Sequence, residues 1–125
     1  MTRSITLFGI PNCDTVKKAR TWLQEQELAF EFHDFKKQGL NRAAIETWLE
    51  HQSLDVLINR KGTTWRALSD TEKASAADTE QAIALMLDKP SVIKRPVLLI
   101  NNDGKSQVNV GFSVPQYQSI FHNYT

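Results

Sequence analysis

Ile5-Thr6-Leu7-Phe8-Gly9-Ile10-Pro11-Asn12-Cys13-Asp14-Thr15-Val16-Lys17-Lys18-Ala19 is the stretch on which the fold turns. Ile5, Leu7 and Phe8 predict a short buried strand, and Gly9-Ile10-Pro11-Asn12 is a turn that must stop it. From Asp14 onward Val16, Ala19 and Leu23 recur at helical spacing, which predicts a helix from about Cys13 to Gln26. Phe30, Phe32 and Phe35, alternating with Glu31 and His33, read as a second strand. Strand, helix and strand in so short a span make a βαβ unit, whose parallel strands are joined by a right-handed crossover.

Beyond this unit the pattern becomes helical. Asn41 is placed to cap a helix carrying Ala44, Ile45, Trp48 and Leu49, and Ser53 to cap a short one carrying Val56, Leu57 and Ile58. Asn59-Arg60-Lys61-Gly62-Thr63-Thr64 carries loop signals. Asp78 and Gln81 have capping-box spacing ahead of Ala82, Ile83, Leu85, Met86 and Leu87, and Lys89-Pro90 closes that helix. Val97-Leu98-Leu99-Ile100 is an apolar strand, Asn101 to Lys105 a turn, and Val108 and Val110 alternate with polar neighbours, so a hairpin is expected. Ser113-Val114-Pro115 opens a terminal helix that buries Ile120 and Phe121. The expected order is β-α-β, helices, β-β-α in one α/β domain spanning residues 1–125, with a helical insertion at about 41–90.

The 125 residues are 41% hydrophobic, enough for one packed core, and carry a net charge of only +1. Such a balance recruits neither nucleic acid nor an anionic membrane, so any anion site must be local. No run approaches the ~18 apolar residues of a membrane span, and no signal-peptide core follows Met1, so a cytoplasmic location is expected. The chain is also expected to be a monomer. Cys13 is the single cysteine, and with His33, His51 and His122 far apart there is no metal-ligand spacing and no internal disulfide.

A cysteine where a strand turns into a helix gains from the helix dipole and from unpaired backbone amides, both of which favour thiolate over thiol. A lone cysteine is often just a small buried hydrophobe, but this position, after a strand, a glycine and a proline, favours reactivity. Lys17 and Lys18 fit either an anion site or an ordinary solvated helix face. Arg95, immediately before Pro96 and an apolar strand, is the strongest candidate for anion recognition, because a guanidinium offers fixed donors. Arg60 is a second, with a solvent-facing loop arginine as the equal alternative. Arg66 beside Trp65 is read as structural, stacked on an aromatic or paired with an acid. The histidines receive no role.

Gly9-Ile10-Pro11-Asn12-Cys13-Asp14-Thr15-Val16-Lys17-Lys18-Ala19, with Ile93-Lys94-Arg95-Pro96-Val97 and the Val110-Gly111-Phe112 ending, resembles the arsenate reductase family that uses glutathione and glutaredoxin, on the branch holding Spx-type and YffB-type proteins. The resemblance covers nearly the whole chain. It implies a thioredoxin-like fold with a mixed four-stranded sheet, Cys13 as nucleophile, and Arg95 and Arg60 as oxyanion-binding arginines. It also implies a cis-Pro96 and a substrate site reaching Asn12, Asp14, Thr15, Lys17 and Lys18. The chain departs from the family pattern in carrying Phe8 and Gly9 where a histidine usually precedes the cysteine, in lacking a third arginine near Gly111, and in carrying Val16 where a Cys-x-x-Cys switch has its second cysteine. The expected activity is therefore glutathione-dependent thiol reduction. Glutathione would be the co-substrate, glutaredoxin a possible protein partner, and no cofactor would be tightly bound. Arsenate reduction and a regulatory module contacting RNA polymerase are the alternatives.

Overall fold

The computed structural model describes residues 3–122. The chain forms two compact units, one made of the segment up to Lys36 and the segment from Arg95 onward, the other of Lys37–Lys94.

The first unit is built on a four-stranded sheet of order β2-β1-β3-β4. β1 (Arg3–Gly9) pairs in parallel with β2 (Glu31–Asp34) and antiparallel with β3 (Val97–Asn102), which pairs antiparallel with β4 (Lys105–Val110). The expected mixed four-stranded sheet is thus present. Alternation along the strands turns Ile5, Leu7, Leu98 and Ile100 to one face. There they pack with Ala19, Trp22 and Leu23 of α1 (Asp14–Glu25) and with Tyr117 and Phe121 of the C-terminal helix, Val114–Phe121. Leu7, Leu23 and Leu98 are wholly buried, each worth about 1.5–3 kcal/mol over an exposed leucine.

Helix α1 begins where its pattern predicts and stops by a definite device. The Leu28 amide donates to the Leu23 carbonyl (3.1 Å) and the Glu27 amide to that of Gln24 (3.0 Å), while Glu27 takes φ 57°. This is a Schellman closure with glutamate in the left-handed position that usually belongs to glycine. Strand β2 is shorter than the phenylalanine alternation suggests. It ends at Asp34, whose carboxylate accepts from the Lys36 amide (2.9 Å), and Phe35 opens the one-turn helix α2 (Phe35–Gln38). The hairpin is tighter than the expected turn: β3 runs through Asn102, and only Asp103 (φ 52°) and Gly104 (φ 85°) lie between the strands. Two consecutive positive φ values mark the primed turn that matches strand twist.

In the second unit α3 (Arg42–Leu49) is capped by Asn41, whose side chain accepts from the Ala44 amide. In α4 (Leu54–Leu57) it is the Ser53 carbonyl, not its hydroxyl, that receives the amides of Val56 and Leu57. Of the three apolar residues expected on that helix only Leu57 is a buried helical residue: Val56 is 40% exposed, and Ile58 leaves the helix to bridge Ile93. The sequence reading missed α5 (Thr63–Arg66) and α6 (Asp70–Ser75), which lie where only a loop was expected or nothing was assigned. Ser69 and Glu72 close α6 with a full capping box. Helix α7 (Thr79–Asp88) is capped by the Asp78 carboxylate, and a 3-10 turn (Pro90–Val92) follows it. Helix α8 (Val114–Phe121) completes the first unit, with the Ser113 hydroxyl accepting from the Gln116 amide.

Candidate active site

Gly9 brings β1 close under α1. A Cβ added at Gly9 would stand 2.8 Å from Cγ2 of Val16, a residue with no exposed surface. Strand end and first helical turn are therefore in contact, and Pro11-Asn12 turns the chain between them. The Cys13 amide donates to the Ile10 carbonyl (3.2 Å), and the Cys13 carbonyl accepts from the Lys17 amide (2.9 Å). Cys13 is the N-cap residue of α1, half-buried, with extended backbone (φ −87°, ψ 125°) and a thiol that caps none of the helix amides. At this position the first-turn amides and the helix dipole favour an anion.

The register brings a second segment to the same end of the sheet. Phe8 is opposite Val97, so Gly9 and Pro96 stand one step beyond that pair. The Arg95–Pro96 bond is cis. Pro96 is buried, and its carbonyl accepts from the Gly111 amide (2.8 Å). Arg95 is half-buried, with its Nε shielded from water. Gly111 is buried at φ 84°, a conformation that disfavours any residue with a Cβ.

The turn that leads to Cys13 and the Arg95–Pro96 segment thus lie at the same end of one sheet, with Asn12, Asp14 and Lys17 exposed around the helix start, Thr15 half-buried and Lys18 exposed beside it. Arg60 belongs to the second unit. Its guanidinium lies 2.6 Å from the Asp55 carboxylate, and its Cζ stands 5.4 Å from the centre of the Trp65 ring. The arginine over the Trp65 ring is Arg60.

Two features of this end of the unit were not read from the sequence. His33 is opposite Phe8 in the parallel pair, and the two ring centres are 4.9 Å apart. The alternation around Phe32 places His33 on a strand, but only the register shows that it stands beside Phe8, one residue before the end of β1. The other feature is an open groove along α1, floored by Trp22 and Phe112. Among the described residues no group of histidine, cysteine and carboxylates could hold a metal ion, and no helix is long and apolar enough to cross a membrane.

The sequence model of the ArsC family matches residues 8–120. The chain belongs to the ArsC family. Its fold is accordingly thioredoxin-like, as the sheet order shows. The solved structure of the YFFB protein is 43% identical, superposes with a TM-score of 0.80, and covers 94% of this chain and 97% of its own. An arsenate reductase (ArsC) related protein from Brucella melitensis is likewise 43% identical, with a TM-score of 0.70 and 94% of both chains covered. The global transcriptional regulator Spx of Streptococcus agalactiae is 30% identical over 112 residues, 87% of this chain and 77% of the regulator. The ArsC family thus contains proteins named as reductases and proteins named as regulators.

Proposed function

We propose that this ArsC-family protein is a glutathione-dependent thiol reductase with Cys13 as its thiolate nucleophile. The observation that carries the reading is Cys13 at the N-cap of α1, at the sheet end entered by Arg95–Pro96, in a chain with no second cysteine. The thiolate attacks a sulfur of a glutathione mixed disulfide. A Cys13–glutathione bond forms, the old S–S bond breaks, and the substrate leaves as thiolate with the electron pair. A second glutathione thiolate then attacks the adduct, releasing glutathione disulfide and restoring Cys13. Because no resolving cysteine exists in the chain, this second thiol must come from outside. In this reading Arg95, Lys17 and Lys18 hold the glutathione carboxylates, and Asn12, Asp14 and Thr15 line the approach. The reading fits a cytoplasmic protein, since reduced glutathione is maintained there.

Turnover of a glutathione mixed disulfide, coupled to glutathione reductase, tests this directly, together with mass spectrometry of the Cys13 adduct. Wild type should turn over and carry one glutathione; Cys13→Ser should do neither while still folding. Activity that survives Cys13→Ser would sink the proposal.

Two other readings have specific support. Arsenate reduction is favoured by the Brucella relative, although Arg60, its expected second oxyanion arginine, is engaged by Asp55. Arsenate turnover with glutathione and glutaredoxin decides it. A regulatory role at RNA polymerase is favoured by the likeness to Spx, but Val16 in place of a second cysteine removes the intramolecular disulfide switch. Binding to purified RNA polymerase that is indifferent to alkylation of Cys13 would favour that role over both enzymes.

A further inference from the structure

Lys17, Lys18, Trp22 and Glu25 of α1 share an open groove of about 340 Å3 with Phe112 and Val114, which lead into α8. Its surface is mainly apolar. Val114 is 43% exposed, one of two large hydrophobic side chains so exposed among the described residues, while two lysines flank one end and a glutamate the other. The lysine end adjoins the nucleophile, because the Lys17 amide is hydrogen-bonded to the Cys13 carbonyl one helical turn earlier.

Length decides what the groove holds. With a rise of about 1.5 Å per residue, Lys17 lies about 6 Å along α1 from Cys13 and Glu25 about 18 Å. A tripeptide spans at most about 11 Å even when extended, so glutathione with its sulfur at Cys13 reaches the lysines and leaves the rest empty. Five or six extended residues span about 18–20 Å and reach the far end.

We infer that the groove docks an extended segment of a protein thiol partner, which carries an acidic residue about two positions from its reactive cysteine, an apolar one next to it, and a basic one about five positions away. Lys17 and Lys18 meet the acid, the Trp22–Phe112–Val114 surface the apolar side chain, and Glu25 the base. The inference rests on the thiol-exchange reading of Cys13.

The test uses hexapeptides carrying 5-thio-2-nitrobenzoate on their cysteine. The Cys13 thiolate attacks the peptide sulfur, the new disulfide forms, and thionitrobenzoate leaves with the electron pair and is read by its absorbance. The matched probes are Cys-Gly-Asp-Leu-Gly-Lys and its reversal, Lys-Gly-Leu-Asp-Gly-Cys. The control for each exchanges Asp for Lys, Leu for Ser and Lys for Glu, and the glutathione–thionitrobenzoate disulfide, which reaches the lysine end but not the apolar surface, serves as the reference substrate. One partly buried leucine and a screened ion pair predict that a matched probe reacts about tenfold faster than its control. Val114→Asp should remove most of that ratio and leave release from the glutathione disulfide unchanged. Equal rates for both matched probes and their controls, or a preference that survives Val114→Asp, would overturn the docking site while normal glutathione exchange leaves the proposed function standing. Release from none of the substrates would overturn both.

Discussion

Replacing Gly9 by alanine puts one methyl group between the end of β1 and the first turn of α1. The added Cβ would lie 2.8 Å from Cγ2 and 3.2 Å from Cγ1 of Val16. Two contacts that short cannot be relieved by a rotamer change, because valine in a helix holds one strongly preferred χ1 and Val16 is completely buried. The helix start must move instead, and overpacking of this kind costs about 1–3 kcal/mol. Gly9 does not occupy the left-handed region, so alanine adds no backbone strain, and its stiffer unfolded chain returns about 0.4–1 kcal/mol. The net loss should be about 1–2 kcal/mol, or roughly 3–5 °C in Tm for each kcal/mol at this chain length. Urea titration followed by circular dichroism measures it, and the rate of Cys13 alkylation by iodoacetamide should change as its helix turn is displaced. The decisive control is Val16→Ala, which removes both clashing methyls: in that background Gly9→Ala should cost nothing. A cost below about 0.5 kcal/mol in wild type, or the same cost in both backgrounds, would refute the close approach as the reason for Gly9.

Glu27→Gly should stabilise the protein by about 1 kcal/mol, since Glu27 holds φ 57° in the closure of α1; a thermal melt showing no gain would count against that strain. Tyr117 is fully buried, its hydroxyl has no partner among the described residues, and burial pushes its pKa far above the usual tyrosine value of 10.0. Tyr117→Phe keeps the ring packing and should stabilise by about 1 kcal/mol in denaturant titration. Because the folded pKa is raised, wild type should lose stability as pH climbs above about 10, where the unfolded tyrosine ionises, and the variant should lose less over that range. The Glu72 carboxyl lies below its ordinary value because the Ser69 amide and hydroxyl hydrogen-bond to it, so its contribution is present above the unfolded value of 4.5 and fades as pH falls below it; Glu72→Gln should flatten that acid limb of the stability curve. Arg95→Ala should lower the turnover of a glutathione mixed disulfide more than Arg66→Ala, and equal losses would remove Arg95 from the site.

The parts of the fold that were legible in the sequence are those where burial repeats with a clear period. Val16, Ala19 and Leu23 announce α1, and Val97 to Ile100 announce the central strand. Helix α6 escaped because none of its residues is buried: its only signal is the Ser69–Glu72 capping box, with no apolar run behind it. Val56 looked like a core residue because a four-residue helix is too short for periodicity to separate its faces. At the site, the helix start and the Arg95–Pro96 segment were readable as local patterns. The position of His33 opposite Phe8 was not, since it depends on a parallel register that no local pattern encodes. The groove was hidden for a related reason: it joins α1 to Phe112 and Val114, residues nearly a hundred positions away, through tertiary packing alone.

The pairing of β1 with β3 has a consequence for biosynthesis. Ile5 lies opposite Ile100, so the central pair of the sheet closes across most of the chain. A ribosome adding about 5–20 residues per second has displayed β1, α1 and β2 for several seconds before β3 is made. Throughout that interval the cysteine is already outside the tunnel, while the Arg95–Pro96 segment that will stand beside it has yet to be translated. A glutathione cap acquired by the thiol in that interval would be reversible by the same exchange chemistry proposed for the mature protein.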